Sequence, residues 1–126
     1  MRAVDTNVLV RIVVRDDARQ TDAASQFIVG GAWVPLVVML ELAWILRNGY
    51  KRTPAQIASA IEMFLDHEHL VVQDSEVVGK AVVAYRKRPS LGFSDCLILE
   101  QARKAGHLPL GTFDRALARL DGATQL

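Results

Sequence analysis

Short apolar runs alternate along the chain with longer segments whose apolar residues recur at helical spacing. The short runs are rich in β-branched residues and are bounded by glycine, proline or polar residues, as strands usually are. Strands that alternate with helices are typical of α/β domains, in which the helices cover a central sheet. The pattern therefore predicts an α/β fold with a mostly parallel sheet between helices.

Five strands and seven helices are predicted. The predicted strands are Arg2–Val4, Ala32–Val34, Leu70–Val72, Leu108–Gly111 and Ala123–Leu126. The predicted helices are Val8–Val14, Thr21–Val29, Val37–Arg47, Thr53 to about His67, Asp74–Arg86, Asp95–Ala105 (capped by Ser94) and Arg115–Leu120. No repeat, low-complexity stretch or linker interrupts them, so we expect one domain over residues 1–126.

The helix starts differ in how clearly the sequence marks them. Thr53-Pro54-Ala55-Gln56 is a capping box with proline at the first helical position, which is a specific helix start. Val8–Val14 is ambiguous, because its β-branched residues favour a strand. A helix is preferred there because Asp5-Thr6-Asn7 supplies an N-cap and Arg11 and Arg15 are four residues apart.

Composition narrows the class of protein further. The chain is 51% hydrophobic and 23% charged, as expected for a folded domain rather than a disordered segment. Cys96 is the single cysteine, so no intrachain disulfide can form and a reducing cytoplasm is the simplest compartment. The longest apolar run, Val34–Leu46, contains Pro35 and Glu41 and falls short of the ~20 residues that span a bilayer. We expect a cytoplasmic protein with no membrane segment and no export signal.

Four acidic residues occupy unusual places in this pattern. Asp5 and Asp114 directly follow predicted strands, where ligands of parallel sheets bind. Glu41 stands in an otherwise apolar helix, and Asp95 lies in the first turn of another. Each has an ordinary explanation: a cap for Asp5, an exposed stripe for Glu41, the helix dipole for Asp95 and a turn for Asp114.

Taken together, the four acids favour a metal site. Several converging carboxylates would repel one another unless a hard divalent cation lay between them. Mg²⁺ and Mn²⁺ prefer oxygen ligands of this kind, and acidic sets around such ions hydrolyse phosphodiester bonds. The sequence thus points to a metal-dependent nuclease.

The segments around these acids resemble the PIN-domain ribonucleases, and among them the VapC toxins of toxin–antitoxin systems. The matching segments are Val4–Leu9, Leu40–Leu46, Phe93–Ile98 and Gly111–Leu117, in that order. Each alone is weak, but four in order are specific, and the resemblance covers essentially the whole chain. It implies a PIN-like three-layer α/β/α fold with about four or five short strands.

The resemblance also implies a site and a function. The acids holding Mg²⁺ or Mn²⁺ would be Asp5, Glu41, Asp95 and Asp114, with Asn7 and Thr112 as supporting polar residues. The reaction would be endonucleolytic RNA cleavage by a metal-activated water. Such a toxin would inhibit translation by cutting tRNA or rRNA, act as a homodimer and be neutralised by a cognate antitoxin.

The remaining charges are compatible with an RNA substrate. Without the four acids, ten acidic side chains face 15 basic ones. Three basic groups are candidates for phosphate contacts, although solvated helix ends explain each of them equally simply. They are Arg86-Lys87-Arg88, Arg47 with Lys51-Arg52, and Arg115 with Arg119.

Two other functions compete with the nuclease. A phosphoacceptor signalling domain would need an acidic pair directly after the first strand, but Asp16-Asp17 lie too far from Val4, and Asp74 would have to be the acceptor. A PIN-like protein that binds RNA without cutting it remains open. Trp44 and Ile45 are expected in the core, although with Tyr50 they could instead receive an antitoxin tail.

Overall fold

The computed structural model describes the whole chain, Met1–Leu126. Two compact units divide it, Met1–Ser75 and Glu76–Leu126. The elements of the first unit are β1 (Arg2–Ala3), α1 (Thr6–Val14), α2 (Ala18–Val29), β2 (Ala32–Val34), α3 (Leu36–Asn48), α4 (Pro54–Leu65) and β3 (Leu70–Val72). Those that follow are α5 (Ser75–Lys87), α6 (Phe93–Ala105), β4 (Leu110–Thr112), a 3₁₀ turn (Leu117–Arg119) and β5 (Ala123–Gln125).

The first unit contains a three-stranded parallel sheet in the order β1-β2-β3. Arg2 pairs with Ala32, and Ala32 pairs in turn with Leu70. The amide of Val4 continues the first ladder by donating to the carbonyl of Trp33 at 3.1 Å. Because the strands are parallel, their carboxyl ends lie at one edge, and Asp5 follows β1 at that edge.

Helices of the first unit pack in a chain of contacts. The α1 helix contacts α2 and α3, α3 contacts α4, and α4 contacts β3. Apolar side chains with almost no exposure fill the spaces between them: Leu9, Val10, Val34, Met39, Leu42, Leu46, Ile57, Ile61 and Phe64. This packing, rather than intrinsic propensity, explains why the β-branched run in α1 forms a helix.

The predicted caps at Asp5 and Thr53 are confirmed, although α1 begins at Thr6, two residues before the predicted Val8. Asp5 accepts a hydrogen bond from the amide of Val8 at 3.3 Å and caps α1. Thr53 and Gln56 form both bonds of the capping box, with Pro54 as the first residue of α4. Local side-chain chemistry was sufficient to place both starts.

The start of α2 was predicted three residues too late. The helix begins at Ala18, and Asp17 caps it by accepting from the amide of Gln20 at 3.1 Å. Thr21 is instead buried inside the helix, and its hydroxyl donates to the carbonyl of Arg11 at 3.2 Å. It therefore ties α2 to α1 rather than starting α2.

The expectation that Trp44 lies in the core is wrong. Its side chain is 67% exposed, while that of Ile45 is half-buried. Val37, Glu41 and Trp44 follow one another at spacings of four and three, so they share the exposed face of α3. The exposed face of α3 is thus largely apolar. Because the whole segment is apolar, its sequence does not show which face is exposed.

The second unit holds two helices and a two-stranded parallel ladder, β4 with β5. Tyr85 of α5 and Phe93 of α6 meet edge to face with ring centroids 6.0 Å apart. Gly92, not Ser94, occupies the cap position of α6, without a side-chain cap bond. The fourth strand begins at Leu110 rather than Leu108, because Pro109 has no amide to donate to a ladder.

The α/β class is confirmed, and all five strands pair in parallel. Three of them form the sheet of the first unit and two the ladder of the second. None of the helices combines the length and the apolar character that crossing a membrane requires.

Candidate active site

The first unit presents Asp5 at the carboxyl edge of its sheet. The β1 strand ends at Ala3, the amide of Val4 extends its ladder by one bond, and α1 begins at Thr6. One carboxylate oxygen of Asp5 caps this helix, and the side chain is exposed. The capping role expected for Asp5 is therefore real, but it occupies one oxygen and leaves the other for a ligand.

Glu41 is held by a neighbour of Asp5 in the sequence. The Thr6 hydroxyl donates to Glu41 Oε2 at 3.0 Å, across 35 positions of the chain. Thr6 is buried, whereas Glu41 lies on the exposed face of α3. The bond therefore fixes an exposed carboxylate through a buried side chain, and it places Glu41 beside the residue that follows Asp5.

Sequence reasoning missed Thr6 because its function depends on a tertiary contact. It stands between Asp5 and Asn7, both of which were singled out, and hydroxyl residues in the first turn of a helix are usually explained by capping. Here the cap is Asp5, which leaves the Thr6 hydroxyl free to reach Glu41.

Asn7 faces a groove between α1 and α2. The groove has a volume of about 530 Å³, and its walls include Asp5, Asn7, Arg11 and Phe27. Arg11 is anchored at one side, with its guanidinium 2.7 Å from Asp16 Oδ1 and 2.6 Å from the hydroxyl of Tyr50. Asn7 makes no side-chain hydrogen bond within the unit, so its amide is available to the contents of the groove.

The second unit places Asp114 in the turn after β4. Its Oδ1 accepts from the amides of Ala116 at 2.8 Å and Leu117 at 3.1 Å. The hydroxyl of Thr112 accepts from the backbone amide of Asp114 at 3.0 Å. Thr112 thus positions the main chain that carries Asp114, and it does so without binding the carboxylate itself.

Asp95 lies half-buried in the first turn of α6 and interacts electrostatically with Asp114. Burial raises the pKa of the Asp95 carboxyl above its usual value, and the negative charge of Asp114 raises it further. The ionised carboxyl is therefore less stable in the folded protein than it would be in water. A bound cation would remove that penalty.

The donor chemistry of the four residues fits a hard divalent cation. Asp5 and Asp114 each use one oxygen as a cap, Glu41 accepts through one oxygen, and none of the four acids forms an ion pair with lysine or arginine within its own unit. Each unit supplies two of the acids. In neither unit do three or more His, Cys, Asp or Glu side chains form a group that could hold a metal, so the four-acid centre stays a prediction.

Other candidate chemistry is accounted for by structure. Cys96 is buried, and burial raises the pKa of its thiol to about 11, with further contributions from Asp95 and Glu100, so it stays a neutral thiol. Asp16 pairs with Arg11 and Asp17 caps α2, which gives the acidic pair of a phosphoacceptor domain two structural roles.

Comparison with known proteins bears on the family of this chain. The sequence matches the PIN domain family over residues 2–123, a range that includes both units and all four acids. It is similar to a VapC ribonuclease of Aquifex aeolicus (strain VF5), with 28% identity over 126 aligned residues that cover 95% of this chain and 92% of the relative. No solved structure matches the chain. The family match extends over nearly all of the sequence, and the chain therefore belongs to the PIN domain family.

Proposed function

We propose that the protein is a divalent-metal-dependent endoribonuclease and the toxin of a toxin–antitoxin pair. In this proposal it acts in the cytoplasm and inhibits translation by cutting tRNA or rRNA. A cognate antitoxin neutralises it. Residues 1–126 form one nuclease domain, and the active form is a homodimer.

The family match carries the proposal, because it runs through every segment that contains one of the acids. The similar protein from Aquifex aeolicus is a VapC ribonuclease. Two features of the structure support the same function: the Thr6 hydroxyl fixes Glu41, and Asp95 interacts with Asp114. Such arrangements are expected where carboxylates must be held ready for a cation.

In this proposal Asp5, Glu41, Asp95 and Asp114 hold Mg²⁺ or Mn²⁺. The ion would activate water, neutralise the phosphate and stabilise the leaving oxygen. The protein's own part is to orient oxygen donors: Thr6 fixes the carboxylate of Glu41, and Thr112 fixes the main chain at Asp114. Asn7 has a free amide on the groove wall, where it orients the RNA backbone or water.

The surface offers contacts for both classes of proposed partner. The basic side chains singled out from the sequence are exposed, apart from the half-buried Arg52, and can contact RNA phosphates. Val37 is 57% and Trp44 67% exposed on the same face of α3 as Glu41. Exposed apolar side chains beside a catalytic carboxylate suit a protein that covers and silences the site.

A cleavage assay with matched variants tests the proposal. The purified protein, free of antitoxin, is incubated with total bacterial RNA in Mg²⁺ or Mn²⁺, and the ends of the products are mapped. We expect discrete cuts that disappear with EDTA and in Glu41→Gln. Glu68→Gln is the matched control, because Glu68 is exposed and contacts only the imidazole of His69 at 3.3 Å.

Two outcomes would count against the nuclease. If the folded protein cuts RNA equally well in EDTA, or if Glu41→Gln cuts like Glu68→Gln, the acids do not form the active centre. If the protein binds RNA in the presence of metal but leaves every RNA intact, the alternative of a non-cleaving PIN-like RNA-binding protein is favoured.

A further inference from the structure

Phe113 is the most exposed large hydrophobic residue of the protein. Its side chain is 80% exposed, and it stands between Thr112 and Asp114 in the turn after β4. Burial of such a side chain stabilises a protein, so its exposure gives up stability. The position of the ring has no explanation in the packing of the second unit.

The backbone on both sides of Phe113 is fixed by hydrogen bonds. Before it, the carbonyl of Thr112 accepts from the amide of Leu126 at 2.9 Å. After it, Asp114 caps the following turn through the amides of Ala116 and Leu117. The ring is therefore presented to solvent by an ordered turn, which lowers the entropic cost of using it to bind a ligand.

The neighbours of Phe113 in the sequence indicate what it binds. Consecutive Cα atoms are about 3.8 Å apart, so the ring is carried one residue away from the proposed metal ligand Asp114. Arg115, next along the chain, is exposed and makes no ion pair within the unit. An aromatic ring flanked by a proposed metal-binding acid and a free guanidinium matches one base and the two phosphates on either side of its sugar, of which one is the scissile phosphate.

We propose that Phe113 stacks on an unpaired base next to the scissile phosphate and thereby positions the RNA at the acids. The inference rests on the proposed ribonuclease function and adds a substrate-positioning residue to its site. In a duplex the base faces are covered by their neighbours, whereas unpaired bases can be splayed out onto an aromatic side chain. Stacking tolerates any base, so Phe113 holds the RNA at this point whatever the sequence there.

The test combines substitutions of Phe113 with removal of bases from the RNA. A short single-stranded RNA containing a mapped cut site is prepared intact and with single abasic nucleotides on either side of the cut. The kcat/KM for cleavage of each RNA is measured in Mg²⁺ with the wild type, Phe113→Ala, Phe113→Leu and Phe113→Trp. Val83→Ala is the control, because Val83 is also an exposed apolar residue, 54% exposed, but belongs to α5 and not to the turn after β4.

We expect Phe113→Ala and Phe113→Leu to lower kcat/KM by about 5- to 150-fold, as loss of one stacked base does. Phe113→Trp and Val83→Ala should keep near-wild-type values. One abasic substitution should lower the wild-type kcat/KM to a similar extent and should not lower that of Phe113→Ala further. That non-additive result identifies ring and base as one interaction.

Additive losses, or Phe113→Ala activity equal to the wild type, would overturn the inference. Unchanged RNA cleavage together with weaker inhibition by a protein partner would also overturn it, because Phe113 would then be a protein contact. Binding of the same RNAs in EDTA, followed by fluorescence anisotropy, separates the two proposals. If Phe113→Ala and the abasic nucleotide weaken binding non-additively but no RNA is cut by the wild type, the stacking inference stands and the nuclease proposal fails.

Discussion

Replacing Thr6 by valine should weaken Mg²⁺-dependent cleavage strongly and should lower the stability of the fold only slightly. The substitution removes one hydroxyl from a buried position and with it the 3.0 Å hydrogen bond to Glu41 Oε2. Hydrogen bonds to charged groups contribute about 1.5–3 kcal/mol, but Glu41 is exposed and water can replace the lost donor. We therefore expect a loss of about 1 kcal/mol in the free energy of unfolding, or roughly 2 to 5 °C in Tm.

The effect on metal binding should be larger, because Glu41 would no longer be held in one orientation. Loss of a residue that orients a metal ligand typically lowers metal affinity or activity by about 10–100-fold. Cleavage rates measured over a Mg²⁺ titration report this loss of affinity. Thr6→Ser returns the hydroxyl and should therefore restore the wild-type dependence on Mg²⁺. Tm is measured for each variant under the same conditions.

Thr21→Val is the matched control for this experiment. Thr21 is also a buried threonine in the first unit, and its hydroxyl donates to the carbonyl of Arg11 at 3.2 Å, away from Glu41. It should lose similar stability and keep the Mg²⁺ response of the wild type. Equal Mg²⁺ responses in Thr6→Val and Thr21→Val, or failure of Thr6→Ser to recover, would refute a positioning role for Thr6.

Two further predictions follow from the second unit. Asp95→Asn should abolish cleavage and yet raise Tm at neutral pH, because burial and Asp114 raise the pKa of Asp95, so that its ionised form destabilises the folded protein. Added Mg²⁺ should raise the Tm of the wild type more than that of the variant, and a lower Tm of Asp95→Asn than of the wild type in EDTA would contradict this reasoning. Cys96 should resist thiol reagents at pH 8 in the folded protein, because burial raises the pKa of its thiol to about 11, and rapid labelling of the folded protein would contradict this raised pKa. The free energy of unfolding should fall as pH rises above about 9, because the thiol of the unfolded chain ionises there before that of the folded protein.

The sequence was sufficient wherever a structure is set by neighbours along the chain. The capping box at Thr53 and Gln56 marks the start of α4, and the cap at Asp5 marks the start of α1, whose β-branched run is then held as a helix by its packing. Asp17 supplies an equally local cap for α2. The sequence also offers Asp16 and Thr21, and the prediction takes Thr21 as the start instead.

Features that depend on distant contacts could not be predicted from local pattern. Trp44 lies in an apolar segment, and only the packing of α3 decides which of its faces meets solvent. The role of Thr6 depends on a partner 35 residues away. The four acids were found because each stands out locally, whereas the contacts that fix them, such as the hydroxyl of Thr112 at the amide of Asp114, required the structure.

The parallel ladder of the first unit has a consequence for how the site forms in time. Its first strand has two residues, Arg2 and Ala3, and the partner of Arg2 is Ala32. No hairpin can bring such partners together, so the intervening α1 and α2 must be formed or nearly formed before the ladder closes. Asp5 lies two residues after this strand, so its placement belongs to the late, non-local stage of folding. We therefore expect the carboxyl edge to be among the last parts of the first unit to become ordered, and local opening of β1 would displace Asp5 while the helical core stayed folded.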